Sequence, residues 1–415
     1  MRHQFLTWSL MALMATAGIC TSCSNDNEPQ PEESAQAPSI EQIKQVWNEV
    51  GQEMKSIDPA PLNEFIAALN AKGTKMTTRT IDEETGAEGE EAEVNADMIN
   101  DLKELMASLL YIDGDEPGLK RSFSFVNVQH TFALLYEMEQ VYIKQEGDDN
   151  LLEGEGTGKI KALGITVITD DNTKYDIMLA RKKQDMTYPE YGDINSVKCS
   201  IAIKKNDAHF LEIMTGNSYG RYQSDESGDL NNMRIGLIKY LEHSVNVFFY
   251  VSPDEPTIFD VSYAKNDSEL IDVRFEINHN SIATPYLPGK HSVDYIIKVK
   301  EGLVTVDGRI NKVSTLMANV AAIGLTSKNG TTEAACVKLV NDFNDNVTAN
   351  IGFAGTDIGD MLLGYRPVEG SVNYKPVIVI SSPILGDTPL SFDEILDLLG
   401  ITWDDIKGMI SGLGD

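Results

Sequence analysis

The chain has 415 residues, with 34 Lys plus Arg against 64 Asp plus Glu, for a net charge of -30. A 42% hydrophobic content supports a packed core and excludes global disorder. A nucleic-acid partner is excluded as well, because a phosphate backbone must be met by clustered Lys and Arg, which this acidic chain lacks.

The first residues carry an export signal. Arg2 and His3 give a short positive start, and Phe5 to Ile19 is free of charge. This run is too short for a permanent membrane helix and reads as a secretory signal peptide over residues 1–22. It ends in Cys20-Thr21-Ser22-Cys23. Here the chain resembles a bacterial lipoprotein, whose lipobox places a small residue before the cysteine that becomes lipidated. Ser22 is small and Ile19 is bulky, so the resemblance implies lipidation at Cys23. Each buried methylene contributes ~0.8 kcal/mol, so two or three acyl chains hold a protein where one would not.

Residues 23–38 form an acidic, Pro-containing tether: Ser24-Asn25-Asp26-Asn27-Glu28 is followed by Glu32 and Glu33, with Pro29, Pro31 and Pro38 between and after them. An acidic stretch directly after the cysteine resembles the surface export signal of lipoproteins of the phylum Bacteroidetes. The resemblance covers about the first 35 residues and implies an outer-membrane location, lipid-anchored and displayed at the cell surface.

Beyond the tether, residues 39–145 read as mainly helical. Ser39 to Gln42 offers a capping box, and Ile40, Ile43, Val46, Trp47, Val50 and Met54 fall on one stripe. After Pro59 and Pro61, Leu62, Phe65, Ile66 and Leu69 repeat the helical spacing up to Gly73, so these two helices are expected to form a hairpin. Residues 74–94 hold seven acids from Asp82 to Glu93 and read as a mobile acidic loop. Met98, Ile99, Leu102, Leu105, Met106 and Leu109 mark a third helix. For Phe132 to Ile143, periodicity does not decide between helix and strand.

From about residue 155 the period changes from 3.6 to 2, and residues 155–390 read as an antiparallel β-rich domain with some helix. Gly164 to Thr169 and Tyr175 to Ala180 flank the turn Asp170-Asp171-Asn172-Thr173; Val293 to Val299 and Leu303 to Val306 flank Glu301-Gly302. The joins are too short for crossover helices, so the pairing is antiparallel. Cys199 to Ile213 laid over Phe259 to Val273 matches Lys205-Asn206-Asp207 with Lys265-Asn266-Asp267. That is either a weak internal repeat or the common chemistry of Asn-Asp turns. Leu316 to Ile323 and Thr332 to Phe343 allow helices; Val347 to Phe353, Met361 to Tyr365 and Val377 to Ile380 allow strands. Residues 391–415, opening with the capping box Ser391-Phe392-Asp393-Glu394, read as short C-terminal helices. The expected class is α+β: an N-terminal helical segment, a large antiparallel sheet system made of hairpins, and helices at the end.

Chemistry-bearing motifs are sparse. Gly216-Asn217-Ser218-Tyr219-Gly220 matches GxSxG, but Arg221 to Asn232 forms no amphipathic helix, so a polar turn is the better reading. Gly154 to Lys159 lacks the spacing of a phosphate loop and carries repelling glutamates. The histidines His130, His209, His243, His279 and His291 form no close pair, and neither a metal site nor a cofactor is expected. Asp170, Asp171, Asp225 and Asp229 read as solvated turn acids, and Cys199 and Cys336 as either a disulfide or two buried thiols. No catalytic residues are assigned. The candidate ligand-binding residues are Tyr188, Tyr191, Tyr219 and Tyr222, aromatics set among Gly, Pro and Asp where loop faces can stack on a ligand. Taken together these features predict a non-catalytic binding or accessory module of the cell envelope, facing a glycan, a peptide or an envelope protein. A secreted hydrolase and a structural assembly protein are the alternatives.

Overall fold

The computed structural model describes residues 39–82, 88–112, 121–123, 128–143, 161–188, 192–219, 232–251, 256–278, 292–383 and 388–390. Signal peptide, Cys23, tether and the C-terminal 391–415 lie outside the described residues. In chain order the elements begin with α1 (Ile40–Lys55), α2 (Ala60–Asn70), β1 (Lys75–Asp82), β2 (Ala92–Glu93), α3 (Ala96–Ala107), β3 (Leu110–Ile112), β4 (Arg121–Phe123) and α4 (Val128–Tyr142). Strands β5 (Lys161–Ile168), β6 (Lys174–Tyr188), β7 (Gly192–Lys205), β8 (Ala208–Tyr219), β9 (Asn232–Tyr240), β10 (His243–Val251), β11 (Thr257–Lys265), β12 (Ser268–Asn278), β13 (Ser292–Val299) and β14 (Val304–Ile310) follow. The chain then makes α5 (Val313–Asn329), α6 (Glu333–Asn344), β15 (Val347–Phe353), β16 (Thr356–Pro367), β17 (Tyr374–Ser381) and β18 (Thr388–Leu390). The protein is α+β with strands dominant.

Two compact units divide the chain. The first holds Met1–Ser56, Pro253–Ser262 and Ser268–Asp415; the second holds Ile57–Ser252 and Tyr263–Asp267. The boundary at Ser56 and Ile57 places α1 and α2 in different units. Local chemistry starts each helix independently. At α1 the Gln42 backbone N–H donates to Ser39 Oγ at 3.3 Å and the Ser39 N–H donates to Gln42 Oε1 at 2.7 Å, completing the capping box. At α2 the Ala60 N–H donates to Asp58 Oδ1 at 2.9 Å. Ser39→Ala removes one cap acceptor and is expected to lower the stability of the first unit by ~1 kcal/mol in urea denaturation.

In the second unit the strand order is β2-β1-β5-β6-β7-β8-β9-β10, antiparallel wherever a register is defined. Period 2 builds its core face. Ile165, Ile177, Ile203, Leu211, Tyr240 and His243 form one row across six strands. All six are buried. The apolar sides of α2 (Leu62, Phe65, Leu69), α3 (Leu102, Leu105, Met106) and α4 (Leu135, Met138) are buried too. Phe65 of α2 meets Tyr175 and Phe210 with ring centroids 4.8 and 5.9 Å apart, which seats that helix on β6 and β8. Gly236 of β9 leaves room for the Phe132 ring of α4, which would stand 2.2 Å from a Cβ there.

The acidic loop expected at 74–94 is corrected by β1 and β2. Lys75–Asp82 pairs along its whole length with β5, from Lys75↔Ile168 to Asp82↔Lys161. The acids begin only at Asp82, and the preceding Met-Thr-Thr-Arg-Thr-Ile run is β-branched and suited to a strand; the acidic count obscured it. Phe132 to Ile143, undecided from periodicity, lies in α4 and the turn after it.

In the first unit the order is β11-β12-β13-β14-β15-β16-β17-β18. Val273, Ile297, Val306 and Ile351 make one buried row. Phe275, Tyr295, Gly308 and Ala349 make the next. Helix α1 lies against β13, α5 against β17, and α6 against β15, β16 and β17. Glu49 of α1 forms an ion pair with Lys300, just beyond β13. The two Asn-Asp turns behave alike: φ is 50° and 66° at Asn206 and Asp207, and 51° and 62° at Asn266 and Asp267. Consecutive left-handed residues are the type I′ geometry that fits the strand twist, and Asn and Asp tolerate it best after Gly.

Candidate functional site

Among the described residues β5 pairs with β6 from Lys161↔Arg181 to Ile168↔Lys174, and β6 pairs with β7 on to Tyr188↔Gly192. The seven residue pairs from Lys182↔Lys198 to Tyr188↔Gly192 span ~24 Å at ~3.4 Å per residue. Along that reach Met186 pairs with Ile194, and Gln184 with Ser196. Strand β8 ends at Tyr219, paired with Asn232 of β9.

Antiparallel order makes β6 and β8 run in the same direction on either side of β7. Counted on from Lys183↔Val197↔Asn217, Tyr219 is level with Asp185, and Tyr188 lies three residues further along its strand. Residues 189–191 and 220–231 connect onward to β7 and β9; Tyr191 and Tyr222 lie in them, outside the described residues. The structure therefore places two of the four candidate tyrosines toward the same ends of β6 and β8, three residues out of step. Sequence alone offered the aromatics, while strand direction and register fix how their positions relate.

Other chemistries fare differently. Gly216 to Tyr219 lies inside β8 as straight antiparallel ladder, with Ser218 opposite Met233. A nucleophile elbow needs a sharp strand-to-helix turn, and an extended ladder provides none. His130 and His209 are exposed, His243 is buried with Nδ1 2.9 Å from the Tyr263 hydroxyl, and His279 and His291 lie outside the described residues. Asp171 accepts from the Thr169 hydroxyl and from the Thr173 N–H at 3.2 Å, bonds that hold its carboxyl below the usual range and serve the β5–β6 turn. Asp225, Asp229 and the glycine-rich 154–159 lie outside the described residues. Among the described residues no group of three or more His, Cys, Asp or Glu could hold a metal ion.

Cys199 and Cys336 are both buried thiols, one in each unit, and no disulfide joins them. The Cys199 Sγ is 3.6 Å from the Leu135 carbonyl, and burial pushes the Cys336 thiol up. A raised thiol stays protonated and is a poor nucleophile, so Cys336 acts as a small core residue.

A charged cluster that sequence reasoning missed lies in the first unit. Asp272 of β12 pairs across the ladder with Lys298 of β13, Oδ2 to Nζ 3.0 Å, although Asp272 is only 8% exposed. Burial, and then the charge of Asp272, push the Asp260 carboxyl of β11 up. Burial and the Asp272 charge likewise raise Glu269, while the Asp272 hydrogen bond raises Lys298. Further along, Arg274 Nε is 3.0 Å from Glu276 Oε1, and Asn278 Nδ2 donates to Asp294 Oδ2 at 2.6 Å. The available signal was Asp272, Arg274 and Glu276 alternating with Val273, Phe275 and Ile277. Partners from β11 and β13 enter only through register.

The fold is that of a sheet-dominated α+β protein whose helices pack on antiparallel meanders. No protein-family model, curated protein or solved structure matches this chain.

Proposed function

We propose that the protein is a lipid-anchored, surface-displayed accessory module of a bacterial outer membrane that binds an extracellular glycan, peptide or envelope protein without catalysis. Tyr188, Tyr191, Tyr219 and Tyr222 are its ligand-contacting residues. The observation that carries this reading is that β6 and β8 run in the same direction, toward Tyr188 and Tyr219. Loops leaving one edge of a rigid sheet are a usual platform for recognition, and tyrosines there give large contact area at low conformational cost. Anchoring through Cys23 is supported by Ser22-Cys23 after the apolar run and by the acidic residues that follow. Among the described residues no helix is long and apolar enough to cross a membrane, so on this reading the body is held by its lipid.

Glycan and peptide arrays probed with the full mature chain test the binding edge. Tyr188→Ala combined with Tyr219→Ala is expected to weaken the strongest binding at least tenfold, since a buried aromatic anchor commonly contributes ~1–3 kcal/mol. Undiminished binding by the double variant, or no binding by wild type, would count against the edge. Ser218→Ala is expected to leave binding unchanged; a fluorophosphonate label that vanishes in that variant would favour the hydrolase instead.

A further inference from the structure

Most strand cations of the first unit are matched to acids. Arg274 Nε lies 3.0 Å from Glu276 Oε1, Lys298 Nζ 3.0 Å from Asp272 Oδ2, and Arg309 Nη1 3.6 Å from Asp294 Oδ1. Lys300, in the turn after β13, meets Glu49. Arg366 of β16 and Lys375 of β17 are different: the ladder sets them directly opposite each other. Neither forms an ion pair among the described residues.

Backbone bonding fixes how the two stand. The Tyr374 N–H donates to the Thr331 carbonyl at 2.7 Å and its carbonyl accepts from the Thr331 N–H at 2.8 Å, so Tyr374 turns both groups away from Pro367, its ladder partner. Alternation along an antiparallel ladder then makes Arg366↔Lys375 a hydrogen-bonded pair, with Cα atoms ~5.5 Å apart and both side chains on one face. Their neighbours on that face are Gly364 and Val377 on one side and Val368 and Asn373 on the other, none of them acidic. Glu369, in the turn that follows, is exposed.

Like charges directly opposite destabilise a sheet. In a chain with 64 acids against 34 bases, the commoner neighbour of a cation is an acid. Arg366 is exposed and Lys375 half-buried, so both are open to a ligand from solvent. We propose that Arg366 and Lys375 together bind a phosphate group, whose oxygens bridge the two cations and offset their repulsion. Two phosphate oxygens match the Arg fork and a third is left for the ammonium, whereas a carboxylate with both oxygens on the fork leaves none for Lys375. This site lies in the first unit and depends neither on the candidate tyrosines nor on lipidation.

Amide NMR of the isotope-labelled mature chain, titrated with sodium phosphate to ~20 mM at constant ionic strength, reads the site directly. Saturable shifts are expected at residues 364–368 and 374–377, with affinity at least ~tenfold weaker in Arg366→Gln and in Lys375→Gln. No saturable shift in wild type, or undiminished affinity in both variants, would overturn the proposal. Arg366→Glu replaces the like-charge pair with an ion pair across the ladder. Without phosphate its melting temperature is expected to rise by ~1–2 °C, and it should lose the phosphate response of wild type. An Arg366→Glu protein that still binds phosphate as wild type does would also overturn the site. A parallel titration with short-chain phosphatidylglycerol, kept monomeric, separates the sources: binding tighter than inorganic phosphate assigns a lipid headgroup, weaker binding assigns free phosphate, and either upholds the site.

Discussion

Gly308→Val is expected to destabilise the first unit by ~3–5 kcal/mol, a large part of the ~5–15 kcal/mol that holds a typical domain together. Gly308 of β14 sits between Tyr295 of β13 and Ala349 of β15. The Tyr295 ring, 4% exposed, crosses it so that the phenol donates to the Thr348 carbonyl at 2.9 Å. A Cβ at 308 would stand 1.9 Å from that same carbonyl oxygen and 2.8 Å from the Tyr295 hydroxyl. Backbone cannot yield as a flexible side chain can, so the ring must move and its buried hydroxyl loses its acceptor. Overpacking costs ~1–3 kcal/mol and an orphaned buried donor another ~1–3. Urea denaturation of wild type, Gly308→Val and Tyr295→Phe separates the two contributions, because Tyr295→Phe removes the hydroxyl but keeps the ring. Gly355→Ala is the contrast: with φ at 76° and open space around the Cβ, it incurs only the ~1–2 kcal/mol of a left-handed residue. Equal losses at positions 308 and 355 would show that the crossing at Gly308 is unimportant.

Phe210→Ala is expected to cost ~3–5 kcal/mol in the second unit. Phe210 is 1% exposed and joins Phe65, Tyr175 and Tyr240, with ring centroids 5.9, 6.1 and 5.8 Å away. Through Tyr240, whose hydroxyl donates to the Asp58 carbonyl at 2.7 Å, this cluster also holds the chain where α2 begins. Truncation opens a cavity beneath that helix and removes three edge or tilted ring contacts at once. Phe210→Leu refills much of the volume, so it should cost less than Ala; thermal denaturation with near-ultraviolet dichroism reports both the stability and the aromatic packing. A Phe210→Ala loss under ~1 kcal/mol would place the core of this unit elsewhere.

Local signals were legible where residues meet their requirement within a few positions. The Ser39 to Gln42 box and its apolar stripe gave α1, and Val347 to Phe353 coincides with β15. Both Asn-Asp turns adopt the left-handed geometry their residues permit. Strand β6 was read only to Ala180, because the charged run Arg181-Lys182-Lys183-Gln184-Asp185 hides its continuation to Tyr188. Strand β1 was masked by its acidic neighbours. The candidate edge was half legible: aromatic loop residues stand out in sequence, but the shared direction of β6 and β8 is a property of the meander. Nothing local pairs Asp272 with Lys298, since that contact depends on strand register.

Surface display through Cys23 is tested most directly by labelling cells with an alkyne fatty acid, in wild type and Cys23→Ala, and then shaving intact cells with protease. The account predicts label that depends on Cys23 and loss of the body on shaving. Absence of label, or labelled protein fully protected from protease, would contradict it.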